Sequence, residues 1–274
     1  EICRPRGMNQ TNFFDLSGKI ALITGCAGLL GKQHAIALGN YGAKIYGADI
    51  DFAQLQARFP SISKKYGFEF IPIQLDVTKE TQWEEACNRI IEREGRIDIL
   101  VNNAGFTNTT SSEDFSKSAD SFPLDAWNDI LQVNLTGSFL GCKIVGSAML
   151  EQGAGSIINI ASLYGVVSPN HQIYRDTEIS QPIAYSVSKG GVISLTKYLG
   201  TLWAKKGVRV NCLTPGGVYD GHTDPFLKRF ANLNPIGRML DKEELRGGIV
   251  FLASEASSHV VGHNLIIDGG WTSW

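Results

Sequence analysis

The chain has little that would tie it to nucleic acid, to a membrane or to a disulfide framework. Its 25 basic and 27 acidic residues leave a formal net charge of −2, so no basic stripe is available for a polyanion and no nucleic-acid partner is expected. The five cysteines (Cys3, Cys26, Cys87, Cys142 and Cys212) are odd in number and scattered, with no Cys-x-x-Cys pair. They read as reduced thiols in a cytoplasmic protein. No run approaches the roughly 18 apolar residues of a membrane span, and no signal-peptide pattern opens the chain. Internal repeats and flexible linkers are missing, as is the glycine-serine-glycine elbow of a hydrolase. His259 and His263 have a zinc-like spacing, but they lead into a strand and lack a third ligand, so no metal site is expected. What is there, 274 residues of which 43% are hydrophobic, suffices for one large core. Residues 1–13 read as an N-terminal extension or an expression remnant, with Met8 as the natural start, and 14–274 as a single domain.

Strand and helix signals alternate from end to end. Short apolar runs lie at Lys19–Thr24, Lys44–Asp49, Phe68–Leu75, Ile97–Asn102, Ser156–Ile160, Val208–Leu213 and Asn264–Ile267. Amphipathic stretches fall at 30–41, 79–94, 124–151, 183–206 and 241–254. Buried strands alternating with helices predict crossover units and a seven-stranded parallel sheet covered on both faces, an α/β doubly wound fold. The polar segment Thr107–Ser121 reads as a long surface loop near a ligand-binding rim. Open parallel sheets bind ligands at the carboxyl ends of their strands.

The first strand ends in Thr24-Gly25-Cys26-Ala27-Gly28-Leu29-Leu30-Gly31. Glycines there allow a tight turn and close backbone approach, and the helix start that follows offers free amides to a pyrophosphate. Asp49 closes the second strand, placed to grip both hydroxyls of an adenosine ribose. An acid there repels a 2′-phosphate, and no Arg or Lys stands in the glycine loop or just after Asp49, so NAD(H) is expected over NADP(H). The plainer role for Asp49 is as N-cap of a helix starting at Phe52.

Tyr185 is followed four residues later by Lys189, a spacing no other tyrosine has toward a lysine. On a helix the two share a face. A unit charge about 5 Å away, at an effective dielectric of about 20, is worth roughly 3 kcal/mol, which would lower the phenol by about two pKa units. That would prepare Tyr185 for acid–base work near neutrality.

Taken with the motifs that follow in order, the chain from about Phe14 onward resembles the short-chain dehydrogenase/reductase family. Gly25, Gly28 and Gly31 resemble its coenzyme loop, Asp76-Val77 its adenine-binding acid, and Asn102-Asn103-Ala104-Gly105 the element after its fourth strand. Asn134, Ser162, Tyr185 and Lys189 match its active-site tetrad, and Pro215-Gly216 and Asp268-Gly269-Gly270 follow its last two strands. The resemblance implies a Rossmann fold and contacts to the dinucleotide from Gly25, Gly28, Leu29, Leu30, Gly31, Asp49, Ile50, Asp76, Val77, Asn103, Ala104, Gly105, Tyr185, Lys189, Pro215, Gly216 and Val218. It also implies that Tyr185 exchanges the substrate proton, Ser162 holds the substrate oxygen, Lys189 holds the ribose, and Asn134 fixes a water leading to solvent. The chemistry implied is interconversion of a secondary alcohol and a ketone.

Two departures stand out. The family's glycines are spaced unequally, whereas here both gaps are two residues and Leu29 takes the usual middle-glycine place. The interval from Ser162 to Tyr185 is also long, so Val166–Pro182 is expected to loop over the site as substrate-recognition structure. A narrower likeness, carried by Gly-Leu-Leu-Gly, the insertion and the Asp268-Gly269-Gly270-Trp271 ending, is to bacterial flagellin-modification oxidoreductases of sugar pathways.

His171, Tyr174, Arg175, His222, Lys228 and Arg229 are candidates to meet an anionic, sugar-derived substrate, and Gly217–Leu233 is expected to be a mobile lid. Helices 124–151 and 183–206 imply a homodimer by resemblance. The C-terminal Trp271 and Trp274 add a second contact and a homotetramer. The alternatives are a 3-oxoacyl or steroid-type reductase, or a non-catalytic NAD-sensing scaffold.

Overall fold

A computed structural model describes residues 12–106, 118–175 and 182–274. Cys3, most of the polar segment 107–121, and positions 176–181 of the insertion lie outside the described residues. Within them, seven parallel strands are paired in one sheet: β1 (Ile20–Thr24), β2 (Lys44–Asp49), β3 (Phe70–Gln74), β4 (Ile99–Asn102), β5 (Gly155–Ile160), β6 (Val208–Pro215) and β7 (Asn264–Ile267). Their order is β3-β2-β1-β4-β5-β6-β7. The expected doubly wound architecture is the one observed.

The central strands β1, β4, β5 and β6 are buried along nearly their whole length and helices cover both faces of the sheet, while the edge strand β7 stays partly exposed. Helices α1 (Leu29–Asn40), α2 (Phe52–Tyr66) and α8 (Arg246–Ala253) bury Leu38, Leu55, Phe59 and Leu252 on one face of the sheet. On the other face α3 (Glu80–Glu94), α5 (Gly137–Gln152) and α6 (Ile183–Trp203) bury Trp83, Val145, Met149 and Trp203. Side chains of this size contribute roughly 1.5–3 kcal/mol each when fully buried. The run Leu124–Gln152 is long and apolar enough by length and composition to cross a membrane, but half of it is buried against the protein's own core. Its hydrophobicity is accounted for by the sheet beneath it.

Two helices escape the sequence pattern. Helix α2 buries only Leu55 and Phe59 and carries Pro60 in its interior, so its apolar stripe is thin and interrupted by a residue that normally breaks helices. Its N-cap is Asp51, whose side chain accepts from the Gln54 amide at 3.0 Å. The capping role considered for Asp49 therefore belongs two residues later. Helix α7 (Asp224–Leu233) lies within the segment expected to be a lid; it starts with Pro225 in its first turn and buries Phe226 and Phe230, the first-turn placement that proline favours. Helix 124–151 is also divided: α4 (Leu124–Leu131) and α5 are joined by a π-helical turn, Gln132–Thr136.

Candidate active site

The chain leaves β1 toward β2 and β3 on one side of the sheet, and β4 to β7 lie on the other. The crevice at a ligand-binding switch point is therefore between the carboxyl ends of β1 and β4. The glycine loop lies there. Gly25 has φ +63°, and a Cβ on it would stand 2.7 Å from the Ala104 Cα; one on Gly31 would stand 2.2 Å from the Gly25 carbonyl oxygen. Neither position admits a side chain. Gly28 differs: it is the extended N-cap of α1 (φ −73°, ψ 177°) and takes no left-handed conformation. Leu29 and Leu30 form the first turn of α1, with ordinary helical backbone. That explains why a leucine can stand where a glycine is usual: the two tight approaches belong to Gly25 and Gly31. The start of α1 keeps its free amides.

The loop is pinned to the β4 end by a residue the sequence pattern did not single out. The Thr24 hydroxyl accepts from the backbone amides of Asn103 and Ala104, both at 3.1 Å. The Asn103 amide side chain in turn donates to the carbonyls of Thr24 (2.9 Å) and Gly25 (3.1 Å). Asp49 accepts from the Ala27 amide at 2.9 Å through one oxygen and from the Asp51 amide at 3.0 Å through the other. Its carboxylate is thus fixed against the glycine loop. Beside it Ile50 is 65% exposed, an apolar side chain turned to solvent at the crevice edge.

Asp76 accepts from the Thr78 amide (2.9 Å) and hydroxyl (2.7 Å), and Val77 is buried against Gly137. On the far side Pro215 ends β6 and the Gly216 amide donates to Ile267 at 2.8 Å. Val218 pairs with Leu240 in an isolated bridge. These residues line the carboxyl edge of the sheet from β3 to β7. They fit a nicotinamide dinucleotide, because the cradle is one that any Cβ would fill, a helix start supplies amides, and an acid closes β2.

Asn134 sits in the π-helical turn and is fully buried. Its carbonyl oxygen Oδ1 accepts from the Phe106 amide at 2.7 Å and its Nδ2 donates to the Ser188 hydroxyl at 3.1 Å. It therefore joins the β4 loop to α6. Such π-turns occur frequently at functional sites. Gly105 lies between Asn134 and Lys189: a Cβ there would be 3.2 Å from Asn134 Oδ1 and 3.5 Å from Lys189 Nζ. Ser162 is buried at the end of β5, with its hydroxyl near enough to Tyr185 to favour the phenolate. The turn after it, Leu163–Gly165, lies directly on α6, since a Cβ on Gly165 would be 2.6 Å from the Lys189 carbonyl carbon. That contact sets Ser162 beside Tyr185 despite the 23-residue separation of the two in sequence.

Tyr185 and Lys189 do share a face of α6, but the expected acidification is absent from the protein alone. Lys189 Nζ lies 5.8 Å from the Tyr185 ring centroid and donates to the Ile160 carbonyl at 2.8 Å. Burial holds the Tyr185 phenol above its ordinary value, with the nearby Ser162 hydroxyl pulling the other way. Burial likewise pushes Lys189 down, to about 8. The neighbouring cation favours the phenolate, but removing both groups from water is costly, and here that cost wins.

A second wall faces this cluster. Leu163, Tyr164, Ile173, Phe226, Phe230, Met239 and Trp271 form a buried apolar group against which Tyr174 and Tyr185 pack. Phe230 stacks on Trp271 with ring centroids 4.4 Å apart. Trp271, expected at an exposed C-terminus, is therefore interior, whereas Trp274 is 80% exposed. Asp268 holds the final turn by accepting from Gly270 and Thr272. Of the residues expected to meet an anionic substrate, Arg229 instead donates to the carbonyls of Ile173 and Arg175, bracing the insertion on α7. His171, Arg175 and Lys228 are exposed, and His222 stacks on Phe226. Tyr174 joins the wall. Tyr164 was missed: it lies two residues past Ser162, with no spacing signal of its own. Among the described residues no cluster of His, Cys, Asp or Glu could hold a metal.

The family model described as enoyl-(acyl carrier protein) reductase matches residues 25–272. A D-threitol dehydrogenase of Mycolicibacterium smegmatis is 35% identical over 267 residues, covering 94% of this chain and 95% of that protein. The chain belongs to the short-chain dehydrogenase/reductase family. A 2-dehydro-3-deoxy-D-gluconate 5-dehydrogenase of Bacillus subtilis is likewise 35% identical, over 95% of this chain and 97% of the other. The crystal structure of a gluconate 5-dehydrogenase from Burkholderia cenocepacia, in complex with NADP and tartrate, superposes with a TM-score of 0.83 at 32% identity over 96% of this chain and 98% of that one. As a short-chain dehydrogenase/reductase the protein is an oxidoreductase that uses a nicotinamide coenzyme.

Proposed function

We propose that the protein is an NAD(H)-dependent dehydrogenase that interconverts a secondary alcohol and a ketone on a sugar-related or polyol substrate. The observation that carries this reading is the convergence of Ser162, Tyr185, Lys189 and Asn134 at the carboxyl edge of the sheet, beside the glycine crevice. The dinucleotide supplies a hydride acceptor or donor and, when oxidised, a fixed positive charge. Tyr185 takes the alcohol proton or returns it to a carbonyl oxygen, and its depressed acidity in the protein alone makes that step dependent on the charge of the occupied site. Ser162 steadies the substrate oxygen through its hydroxyl. Lys189, at about 8, is largely an ammonium at neutral pH, placed to favour the phenolate and to hold the ribose. Asn134 keeps the β4 loop and α6 in register around it.

NAD(H) is favoured by Asp49, whose carboxylate is fixed at the end of β2 where a 2′-phosphate would fall; the Burkholderia cenocepacia complex, by contrast, holds NADP. Threitol and gluconate chemistry among the relatives supports a polyol or keto-sugar substrate, and the resemblance to flagellin-modification oxidoreductases supports a sugar-derived one. The apolar wall favours a second reading, reduction of an oxoacyl or steroid-type ketone. The tyrosine hydroxyls set into that wall favour the first. Exposed Leu124, Phe139, Ile183, Val187, Tyr198 and Leu202 on α4, α5 and α6 support a homodimer or homotetramer built on those helices. The four buried thiols are in keeping with a cytoplasmic protein.

Tyr185→Phe should lower turnover by at least about a thousandfold, on the scale of a general acid–base group, and leave dinucleotide affinity within a few fold by calorimetry. Retained turnover would remove the phenol from the reaction. In the same assay the wild type should favour NAD+ over NADP+, and the opposite preference overturns the role given to Asp49.

A further inference from the structure

Tyr164 and Tyr174 bring to the substrate wall phenols for which the reaction above has no use, and the surroundings of Tyr164 are built. Tyr164 is 7% exposed. Its backbone amide donates to the Ser162 hydroxyl oxygen at 3.3 Å, and its turn is held on the α6 backbone at Lys189 through Gly165. Its position relative to the candidate catalytic group is therefore fixed by backbone as well as side chain. The hydroxyl meets that of Tyr174 at 2.5 Å. Tyr174 is in turn set by the buried Ile173 beside it, by the Arg229 contacts to the carbonyls of Ile173 and Arg175, and by its ring against Phe226 at 5.6 Å.

A phenol carries one proton and two acceptor sites. If Tyr164 donates to Tyr174 its oxygen can still accept, and if it accepts, its proton remains available. Either way the buried oxygen retains a capacity that an apolar wall of Leu163, Ile173, Phe226 and Phe230 does not meet. Burial, with repulsion from Tyr185, pushes Tyr164 up to about 12, so it stays neutral at any working pH and can recognise a group without exchanging its proton. Tyr185 packs against the same apolar group, so the two phenols share one wall.

We propose that Tyr164, braced by Tyr174, is a specificity-determining residue whose hydroxyl hydrogen-bonds a second hydroxyl of the substrate, on a carbon neighbouring the one oxidised. The site then selects vicinal diols and polyols over simple alcohols. This rests on the dehydrogenase reading and deepens it. A site that keeps a buried polar atom for a substrate hydroxyl penalises the analogue lacking it, because the atom is left unpaired.

The test compares cis-cyclohexane-1,2-diol with cyclohexanol, matched in ring and reacting centre. Tyr164→Phe should lower kcat/KM for the diol by about tenfold, the scale of one neutral hydrogen bond, and change that for cyclohexanol by less than twofold. The pH profile should be unmoved. Tyr174→Phe, which removes the brace and keeps the Tyr164 hydroxyl, should lower the diol preference by about threefold. Calorimetric titration of both alcohols into the protein loaded with the reduced coenzyme should give the same ratios without turnover. A chain that turns over neither of these nor any member of a broad panel of sugars and polyols refutes the dehydrogenase reading, while the affinity ratio still decides the role of Tyr164. Equal losses for diol and monoalcohol, no loss for either, or a larger effect from Tyr174→Phe than from Tyr164→Phe would each overturn the proposal.

Discussion

The two halves of the proposed site are made of different material. The coenzyme half is backbone: Gly25 stacked on Ala104, Gly31 stacked on Gly25, and Thr24 and Asn103 tying the two strand ends together. The substrate half is side chain: Tyr164, Ile173, Phe226, Phe230 and Trp271, drawn from four separated segments into one cluster. In the first half a residue type is imposed by steric exclusion at a single point, and a methyl group is already too much. In the second, what matters is total shape, and several combinations of large side chains could fill it. The coenzyme half should therefore fail sharply and locally when altered, and the substrate half should degrade by degrees.

Gly31→Ala gives the largest effect expected. Its Cβ would lie 2.2 Å from the Gly25 oxygen and 2.7 Å from the Cys26 Cα, both backbone atoms. Neither can swing aside as a flexible side chain could, so the loop must open. Dinucleotide affinity should fall at least about a hundredfold, since a displacement near 1 Å in a positioned site can cost that much. Calorimetry with NADH measures it, and an affinity within threefold of wild type would show that the cradle has slack the geometry denies.

Phe230→Ala should act on the other half alone. The ring is 1% exposed and packs on both Trp271 and Phe226, and deleting such a ring costs about 3–5 kcal/mol in stability. The substrate KM should rise about tenfold as the wall loosens, with coenzyme affinity within twofold. If both constants weaken together, the halves are mechanically one unit and the division drawn above is wrong.

The same contrast decides what could be read from sequence. Gly25, Gly31 and Asp49 were legible because each is dictated by its immediate neighbours and by its place after a strand. That Asn134, Ser162, Tyr185 and Lys189 gather at one edge of the sheet was legible through their order, aided for the last two by helical spacing. Helices α2 and α7 were not, since each buries only two side chains at an i, i+4 spacing, too few to set a periodic stripe. Arg229 looked like an anion contact because a charge in a loop carries no sign of its partner. Its partners include carbonyls on the insertion, brought there by tertiary packing. Tyr164 was illegible for the same reason: its meaning lies in Tyr174 and Phe226, which no spacing announces.

Lys189 and Tyr185 show a further limit, because their titration depends on how much water the fold excludes, and that is a property of the whole cluster. His34 is the parallel case beneath the coenzyme loop. It lies on α1, three residues past Gly31, is fully buried, and neither ring nitrogen has a hydrogen-bond partner among the described residues. Burial holds it down to about 4. Its proton is therefore bound less readily in the folded state than in the unfolded chain, where the pKa is about 6.5. The sign follows by linkage: the neutral ring fits the fold fully above pH 6.5, and stability is lost as the pH falls from 6.5 toward 4. At pH 5.5 the loss comes to about 1.4 kcal/mol. Other groups titrate in the same range, so the quantity to measure is a difference, the urea-unfolding free energy at pH 7.5 minus that at pH 5.5, for wild type and for His34→Leu. The variant should be less acid-sensitive by about that amount. Equal acid sensitivity would mean that the imidazole takes up its proton inside the fold without penalty, and that α1 yields beneath the glycine loop more readily than its packing indicates.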